Sequence, residues 1–362
     1  MQSLISSHPI SGSHLNKRDK NVEVIFMVRQ KKQTVLVTGG AGYVGSALVP
    51  SLLQKGYKVI IYDLYLYGDV FSSLKNHPHL IEMKADIRDK KKFVEATKNV
   101  DILLHLACIS NDPSYELNPT LGKSINYNAF FNLTEAARIN NIRRFVYAST
   151  SSVYGVKNEK DVRETSSCEP LTDYSKYKLE CENLLLDFGE KNPDIEHVIV
   201  RPATVCGYAP RLRLDLVVNI LTINALINKK IKIFGGKQLR PNINIKDVVR
   251  MYELLLSAPA DKINGDIFNA GYQNRTVEEL AMIVKKVVDD NHITFETVPT
   301  DDIRSYHINS DKIRKVLGFE PKYTIEDAVQ SLVDAYKKGL IIDGLNNPIY
   351  YNIKLMQKVD LK

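Results

Sequence analysis

The stretch Thr34 to Gly45, Thr-Val-Leu-Val-Thr-Gly-Gly-Ala-Gly-Tyr-Val-Gly, leaves few folds open to the chain that contains it. A β-branched apolar run ends in glycines, and a helical pattern from Tyr43 to Gln54 passes through Gly56 into a second apolar run, Lys58 to Tyr62, closed by Asp63. That order reads as strand, tight glycine turn, helix and strand, with an acid about 20 residues past the turn. Each residue type has a physical task there. Gly39 takes the conformation the turn demands, Gly42 admits backbone N–H groups to a pyrophosphate at the positive helix end, and Gly45 lets the helix lie close on the strand. Asp63 would accept hydrogen bonds from an adenosine ribose and repel a 2′-phosphate, which selects NAD over NADP.

Apolar strand-like runs then keep alternating with amphipathic stretches, the pattern of an α/β fold with a doubly wound parallel sheet. Strands are expected at Leu80–Lys84, Val100–Leu106, Arg144–Ala148 and, returning late, Asp266–Ala270; helical stretches are expected from Lys90, over Leu117–Ile139 and over Asp173–Phe188. The alternation stops after Arg201-Pro202, where a smaller mixed lobe begins. The expected organisation is a flexible tail (1–33), a dinucleotide-binding domain (34–206, with 242–272 returning to it), a mainly substrate-binding lobe (207–345) and a C-terminal extension (346–362).

Composition excludes several classes. A net charge of +7 on 362 residues is modest and dispersed, so nucleic acid is not the expected partner, while a polyanionic small ligand such as a nucleotide is compatible. The four cysteines, Cys108, Cys168, Cys181 and Cys206, form no C-x-x-C pair and no His cluster has metal spacing, so no metal and a reduced, cytoplasmic setting are expected. No apolar run is long enough for a membrane span. Lys17, Arg18, Lys20, Arg29, Lys31 and Lys32 make the tail basic, and its one apolar run, Val22–Val28, lacks the placement and cleavage site of a secretory signal.

The chemistry is expected where Arg144–Ala148 ends in Ser149-Thr150-Ser151-Ser152-Val153-Tyr154-Gly155 and where Tyr174-Ser175-Lys176-Tyr177-Lys178 opens a helix. Tyr174 and Lys178 are four apart and share a helix face. A phenol has a pKa near 10 and is a poor base at neutral pH, but two positive charges, Lys178 and an oxidised nicotinamide, would lower it into a useful range. Tyr177 cannot form the pair, because its fourth neighbour is Cys181. His105-Leu106-Ala107-Cys108 closes a buried strand at its carboxyl end, where open α/β sheets bind ligands, and Cys108 reads as small apolar filler. Asn126 falls inside a helical stretch, so it is either exposed or hydrogen-bonded to a neighbouring strand. Arg211 and Arg213 face either phosphate or solvent. Asp89 and Asp247 are placed to cap helices, and Thr276 with Glu279 has capping-box spacing.

The spacing Thr38-Gly39-x-x-Gly42-x-x-Gly45, together with the His-Leu-Ala segment, Thr150 and Tyr174-x-x-x-Lys178, resembles the extended short-chain dehydrogenase/reductase family, the NAD-dependent nucleotide-sugar epimerases and dehydratases. The resemblance runs from Thr34 to about Lys338 and implies a Rossmann domain holding NAD. It places Gly39, Gly42, Tyr43, Val44, Gly45, Asp63, Asp86, Ile87, Leu106, Ala107, Asn126, Ser149, Tyr174 and Lys178 around the cofactor, with Asp86 and Ile87 against the adenine. Tyr174, Lys178 and Thr150 take the catalytic positions, and Ser110, Asn111, Thr150, Ser151, Arg211, Arg240 and Arg304 the substrate-binding ones, the last two as diphosphate clamps. It implies a nucleotide-sugar substrate, a UDP-sugar first, and a homodimer built on the 117–139 and 173–188 helices. Thr204 stands where the family often has Asn. The acid pair that follows the Thr in 4,6-dehydratases is here Ser151-Ser152, which cannot supply those carboxylates, so a 4,6-dehydratase is the less favoured alternative. Epimerisation at C4 by oxidation and re-reduction is the expected activity. The alternatives are a 4-dehydrogenase or reductase, such as one acting on GDP-heptose, suggested by Ala107–Pro113 and the Arg-Leu-Arg-Leu-Asp-Leu run, and a silent NAD-binding sensor.

Overall fold

The computed structural model describes residues 32–157, 159, 161–300, 305 and 307–359. The expected tail up to residue 31, and Arg304, lie outside the described residues. In chain order the elements are β1 (Thr34–Thr38), α1 (Tyr43–Gln54), β2 (Lys58–Asp63), β3 (Leu80–Lys84), α2 (Lys90–Ala96), β4 (Ile102–His105), α3 (Asp112–Glu116), α4 (Pro119–Lys123), α5 (Ala129–Ile139), β5 (Arg144–Ala148), α6 (Asp173–Lys191) and β6 (Glu196–Pro202). There follow β7 (Thr204–Cys206), α7 (Val217–Asn228), β8 (Lys230–Phe234), β9 (Leu239–Asn244), α8 (Ile245–Ser257), β10 (Asp266–Ala270), β11 (Gln273–Thr276), α9 (Val277–Val288), β12 (Thr294–Val298), α10 (Asp311–Leu317), α11 (Ile325–Lys337) and α12 (Asn352–Met356).

Seven strands form one parallel sheet in the order β10-β6-β5-β4-β1-β2-β3. The fold is the expected doubly wound α/β architecture of the Rossmann kind. Alternation along β1 explains its two layers: Val35 and Val37 point to the face covered by Leu48 and Leu52 of α1 and Met251 and Leu255 of α8. Leu36 points to the other face, against Phe93 of α2, Phe130 and Leu133 of α5 and Leu185 of α6. The strand order reverses direction between β1 and β4, and the carboxyl ends of these two strands flank the crevice where such sheets take ligands. A mixed sheet, β11-β9-β7, and a parallel pair, β12-β8, build the smaller part, with α7, α9 and α11 packed through Leu221, Leu280 and Val329.

Four local expectations are corrected. Leu117–Ile139 is not one helix: Asn118 caps a new start at Pro119, accepting from the Leu121 N–H at 3.0 Å, and a π-helical turn at Ser124–Asn128 separates α4 from α5. The strand expected over Val100–Leu106 is confined to Ile102–His105. Asp247 does not cap α8; Asn244 does, through the Lys246 N–H, while Asp247 is fully buried and accepts from the Lys322 and Tyr323 N–H groups. Within 242–272, β10 joins the large sheet and α8 covers it, but the end of β9 belongs to the small sheet. The Asp89 cap and the Thr276–Glu279 capping box form as expected.

His105 shows what the buried strand ends demand. Its ring stacks on Tyr147 at 5.6 Å, and its Nδ1 shares a 2.7 Å hydrogen bond with Thr38 Oγ1. Burial, reinforced by the Lys178 charge, drives its pKa well below 6.5. The unfolded chain takes up a proton below about pH 6.5 that the folded chain refuses, so the unfolded state binds more protons there. Stability is therefore expected to be unaffected by this group above about pH 6.5 and to fall below it, with a slope of up to about 1.4 kcal/mol per pH unit. Urea melts between pH 7.5 and 5 check this; His105→Gln should flatten that portion of the slope.

Candidate active site

A cavity of about 670 Å³ opens at the β1–β4 switch point and continues between the large sheet and the small lobe. At one end lies the glycine turn. Gly39 has φ +70°, and a Cβ there would sit 2.6 Å from the Ala107 nitrogen, so the end of β4 passes too close for any side chain. A Cβ on Gly45 would strike the Gly40 backbone, which puts its packing against the turn itself. No side chain caps α1, and Gly42, Tyr43, Val44 and Gly45 line the cavity. The first-turn N–H groups of a helix have no intrahelical acceptor, so this end is built to receive an anion.

Asp63 ends β2 with both oxygens held, one by the Ala41 N–H at 3.0 Å and one by the Tyr65 N–H at 2.7 Å. Burial raises its pKa, and those N–H groups and Arg211 oppose the rise. Fixed in this way, the carboxylate can receive two ribose hydroxyls on its remaining lone pairs. Asp86, gripped by the Arg88 guanidinium at 2.6 Å, lines the same end with Ile87, Leu106 and Ala107. The cradle therefore fits a dinucleotide. Asn126 does not line it: its Oδ1 accepts from the Ile109 N–H at 2.8 Å and its Nδ2 donates to the Ile109 carbonyl at 3.0 Å. That corrects the expected cofactor contact, because both polar groups are consumed in holding the loop after β4.

The reacting groups meet where β5 ends. Thr172 and Ser175 form a capping box that starts α6, and Tyr174 and Lys178 emerge on one face of its first turns. Tyr174 is 9% exposed, and the Thr150 side chain lies close enough to act on its phenol. Burial pushes its pKa well above 10, Cys108 and Asp112 add to that, and Arg213 and Thr150 pull it back. Lys178 is 3% exposed and donates to the Ala148 carbonyl at 2.7 Å, with its ammonium 5.0 Å from the Tyr147 ring centre. Arg213 is thus a further protein cation that acts on the phenol, one not among the expected charges. Tyr177 instead joins an aromatic cluster with Tyr115 and Tyr127. Cys108 lines the cavity rather than filling a core.

Ser149, Ser151 and Ser152 line the same wall, and the Ser149 hydroxyl donates to Glu182, which also receives Arg201. Ser110 and Asn111 line it from the loop after β4; Asn111 has φ 78° while capping α3 through the Ser114 N–H, a sparsely populated conformation for a residue with a side chain. Arg240, on β9, lines the far end with Lys232, Phe234 and Gln238. Arg211 and Arg213 both turn inward, which resolves the choice left open by the sequence against solvent. Arg213 donates to Asp215 at 2.9 Å and to Ser110 at 3.1 Å, and Arg211 donates to Asn352 at 2.5 Å.

Glu182, Tyr67, Asp215 and Asn352 were not singled out as site residues from the sequence. Glu182 carried a signal: Tyr174, Lys178 and Glu182 follow at intervals of four. Asn352 carried none, since its partners, Ser110 and Arg211, lie far away in sequence. Among the described residues no group of three or more His, Cys, Asp or Glu could hold a metal ion, and no helix is long and apolar enough to cross a membrane.

Comparison with known proteins agrees with this geometry. The family model for the NAD dependent epimerase/dehydratase family matches residues 35–271. A Bacillus subtilis protein described as an uncharacterized UDP-glucose epimerase, YtcB, is 32% identical, over 84% of this chain and 98% of its own. UDP-glucuronic acid decarboxylase 1 of Arabidopsis thaliana is 28% identical over 87% of this chain and 72% of its own. The crystal structure of Thermotoga maritima UDP-glucose 4-epimerase with UDP-glucose superposes with a TM-score of 0.77 at 25% identity, covering 85% of this chain and all of that one.

Proposed function

Since the chain belongs to the NAD-dependent epimerase/dehydratase family and is an NAD-using enzyme of it, we propose that it is a nucleotide-sugar 4-epimerase, with a UDP-sugar as substrate. The observation that carries this reading is that Thr150, Tyr174 and Lys178 line one wall of a cavity that runs from the glycine turn to Arg240. NAD, when bound, supplies a hydride acceptor and donor. Tyr174 takes the proton of the C4 hydroxyl, and Thr150 holds that oxygen as it becomes a carbonyl; both roles reverse when the alcohol is re-formed on the opposite face. Arg213 stabilises the phenolate, and Lys178, fixed by the Ala148 carbonyl, would hold the ribose of a bound dinucleotide. Arg240 pairs the substrate diphosphate, a task to which a planar guanidinium is suited.

Elimination of water is disfavoured by the carboxylates on the wall. Asp63 and Asp86 lie at the dinucleotide end, Asp112 receives the Thr172 hydroxyl, and Asp215 is paired with Arg213 and the Asn352 N–H. Among the described residues no acid pair lines the wall beside Thr150, where Ser151 and Ser152 lie. The deciding experiment incubates the purified chain with UDP-, GDP-, dTDP- and CDP-sugars and reads product mass and C4 configuration by NMR. A C4-inverted UDP-sugar of unchanged mass is expected. An accumulating 4-keto sugar with matching NADH would make the enzyme a net dehydrogenase, and loss of carbon dioxide would make it a decarboxylase.

We also propose a homodimer formed by α5 and α6, because Phe131 of α5, and Leu171 just before α6, stay about half exposed although both are large and apolar. Sedimentation at micromolar concentration should return twice the chain mass, and a monomer would sink the proposal.

A further inference from the structure

We infer that Arg211 is a pyrophosphate-binding residue for the dinucleotide, held in place by Asn352 of the C-terminal segment, so that residues far outside the glycine turn complete the cofactor site. The inference rests on the NAD site proposed at that turn and moves Arg211 from the substrate side to the cofactor side.

Arg211 is 3% exposed and lines the cavity. Among the described residues no carboxylate pairs with it. Its contacts are a 2.5 Å hydrogen bond from Nη2 to Asn352 Oδ1 and the face of the Tyr67 ring, 3.5 Å away at the centre, while Nε is buried without an acceptor. Asp215 does not supply the missing charge, because its oxygens take Arg213 Nε and the Asn352 N–H. Burying one guanidinium beside another with a single carboxylate between them leaves a positive charge uncompensated, a costly arrangement unless an anion joins it.

Position identifies that anion. The Arg211 backbone N–H donates to the Ser46 hydroxyl on α1 at 3.1 Å, which sets the residue over the first turns of the helix whose uncapped N-terminus meets the cavity. Asp63 and Tyr43, both at the dinucleotide end, lie within electrostatic reach of Arg211, and Tyr67 follows Asp63 in the loop after β2. The α1 N–H groups and the guanidinium fork would then share the pyrophosphate of a bound dinucleotide. The C-terminal segment sets the fork's position: Asn352 Nδ2 donates to Ser110 at 2.9 Å, and the Leu214 N–H donates to the Tyr350 carbonyl at 2.9 Å. Asn352 is thus a positioning residue, acting through Arg211.

The test uses the full chain stripped of bound nucleotide. Because the chain contains no tryptophan, NADH fluorescence titrates cleanly, and calorimetry gives the affinities for ADP-ribose and UDP. Arg211→Gln is expected to raise the NADH and ADP-ribose dissociation constants together, by about tenfold to a hundredfold, the loss typical of a charge-assisted contact, and to leave UDP within about twofold. Arg211→Lys should lose less, and Asn352→Ala should show the same pattern more weakly. If Arg211→Gln lowers stability, the Lys and Asn352 variants carry the comparison. Unchanged NADH affinity in all three overturns the inference. So does loss of UDP binding with NADH retained, which returns Arg211 to the substrate, and so does loss for NADH but not ADP-ribose, which puts it at the nicotinamide. Should the unmodified chain bind neither NADH nor ADP-ribose, the NAD site itself has been misplaced.

Discussion

Replacing Tyr174 by Phe is expected to cut turnover about a thousandfold, within the range that a positioned acid–base group contributes, while NADH affinity changes by less than about twofold. The ring is almost wholly enclosed and packs among apolar neighbours, so removing one oxygen leaves its shape intact. What disappears is the proton acceptor. The pH profile gives a second readout. A phenol raised by burial works as a base only once deprotonated, so kcat should climb with pH along a limb set by Tyr174. Arg213 lowers that pKa, and its removal must therefore move the limb to higher pH. Arg213→Met with an unmoved limb, or Tyr174→Phe with ordinary turnover, would place proton transfer elsewhere.

The parts of this site that were legible in the sequence are those fixed by local geometry. The glycines at 39, 42 and 45 are readable because their spacing at a strand-to-helix turn is itself the signal, although what excludes a Cβ at Gly39, the close pass of Ala107, comes from far along the chain. Asp63 is readable from its place at the end of the next strand, and the Tyr174–Lys178 pair from helical spacing. The helix break at Pro119 was also available locally, since Asn118-Pro119 is a capping signal. Other features were out of reach. Asn126 was readable as a helical polar residue tied across to a neighbouring segment, which the structure bears out, yet only the fold shows that the partner is Ile109. Asn352 meets Ser110 and Arg211 through the folded chain alone, and no period or motif near residue 352 announces that contact. The electrostatics were equally hidden: that the Lys178 ammonium donates to the Ala148 carbonyl, and that Arg213 from the other lobe lowers the phenol's pKa, only the fold shows.

Glu182→Ala is expected to destabilise the chain by about 3–5 kcal/mol, the loss associated with stripping one partner from a buried ion pair. Glu182 and Arg201 are both nearly inaccessible and joined at 2.6 Å; Arg201 also donates to the Tyr154 hydroxyl at 2.9 Å, which donates to Asn269 at 2.7 Å. Burial alone would lower the Arg201 pKa, but Glu182 more than reverses that and raises it. Removing the carboxylate leaves a guanidinium locked between β6 and α6 with no counter-charge, and it frees the Ser149 hydroxyl on the cavity wall. A cycle with Arg201→Leu separates the contributions. Each single change should lower the urea midpoint sharply, whereas Glu182→Leu combined with Arg201→Leu should recover much of the loss, because two apolar groups no longer strand a charge. The recovered double variant should still turn over slowly, since Ser149 has lost its anchor beside Thr150. If the double variant is as unstable as the singles, shape rather than charge holds this layer together; if it regains full turnover, the network has no part in ordering the wall on which Tyr174 works.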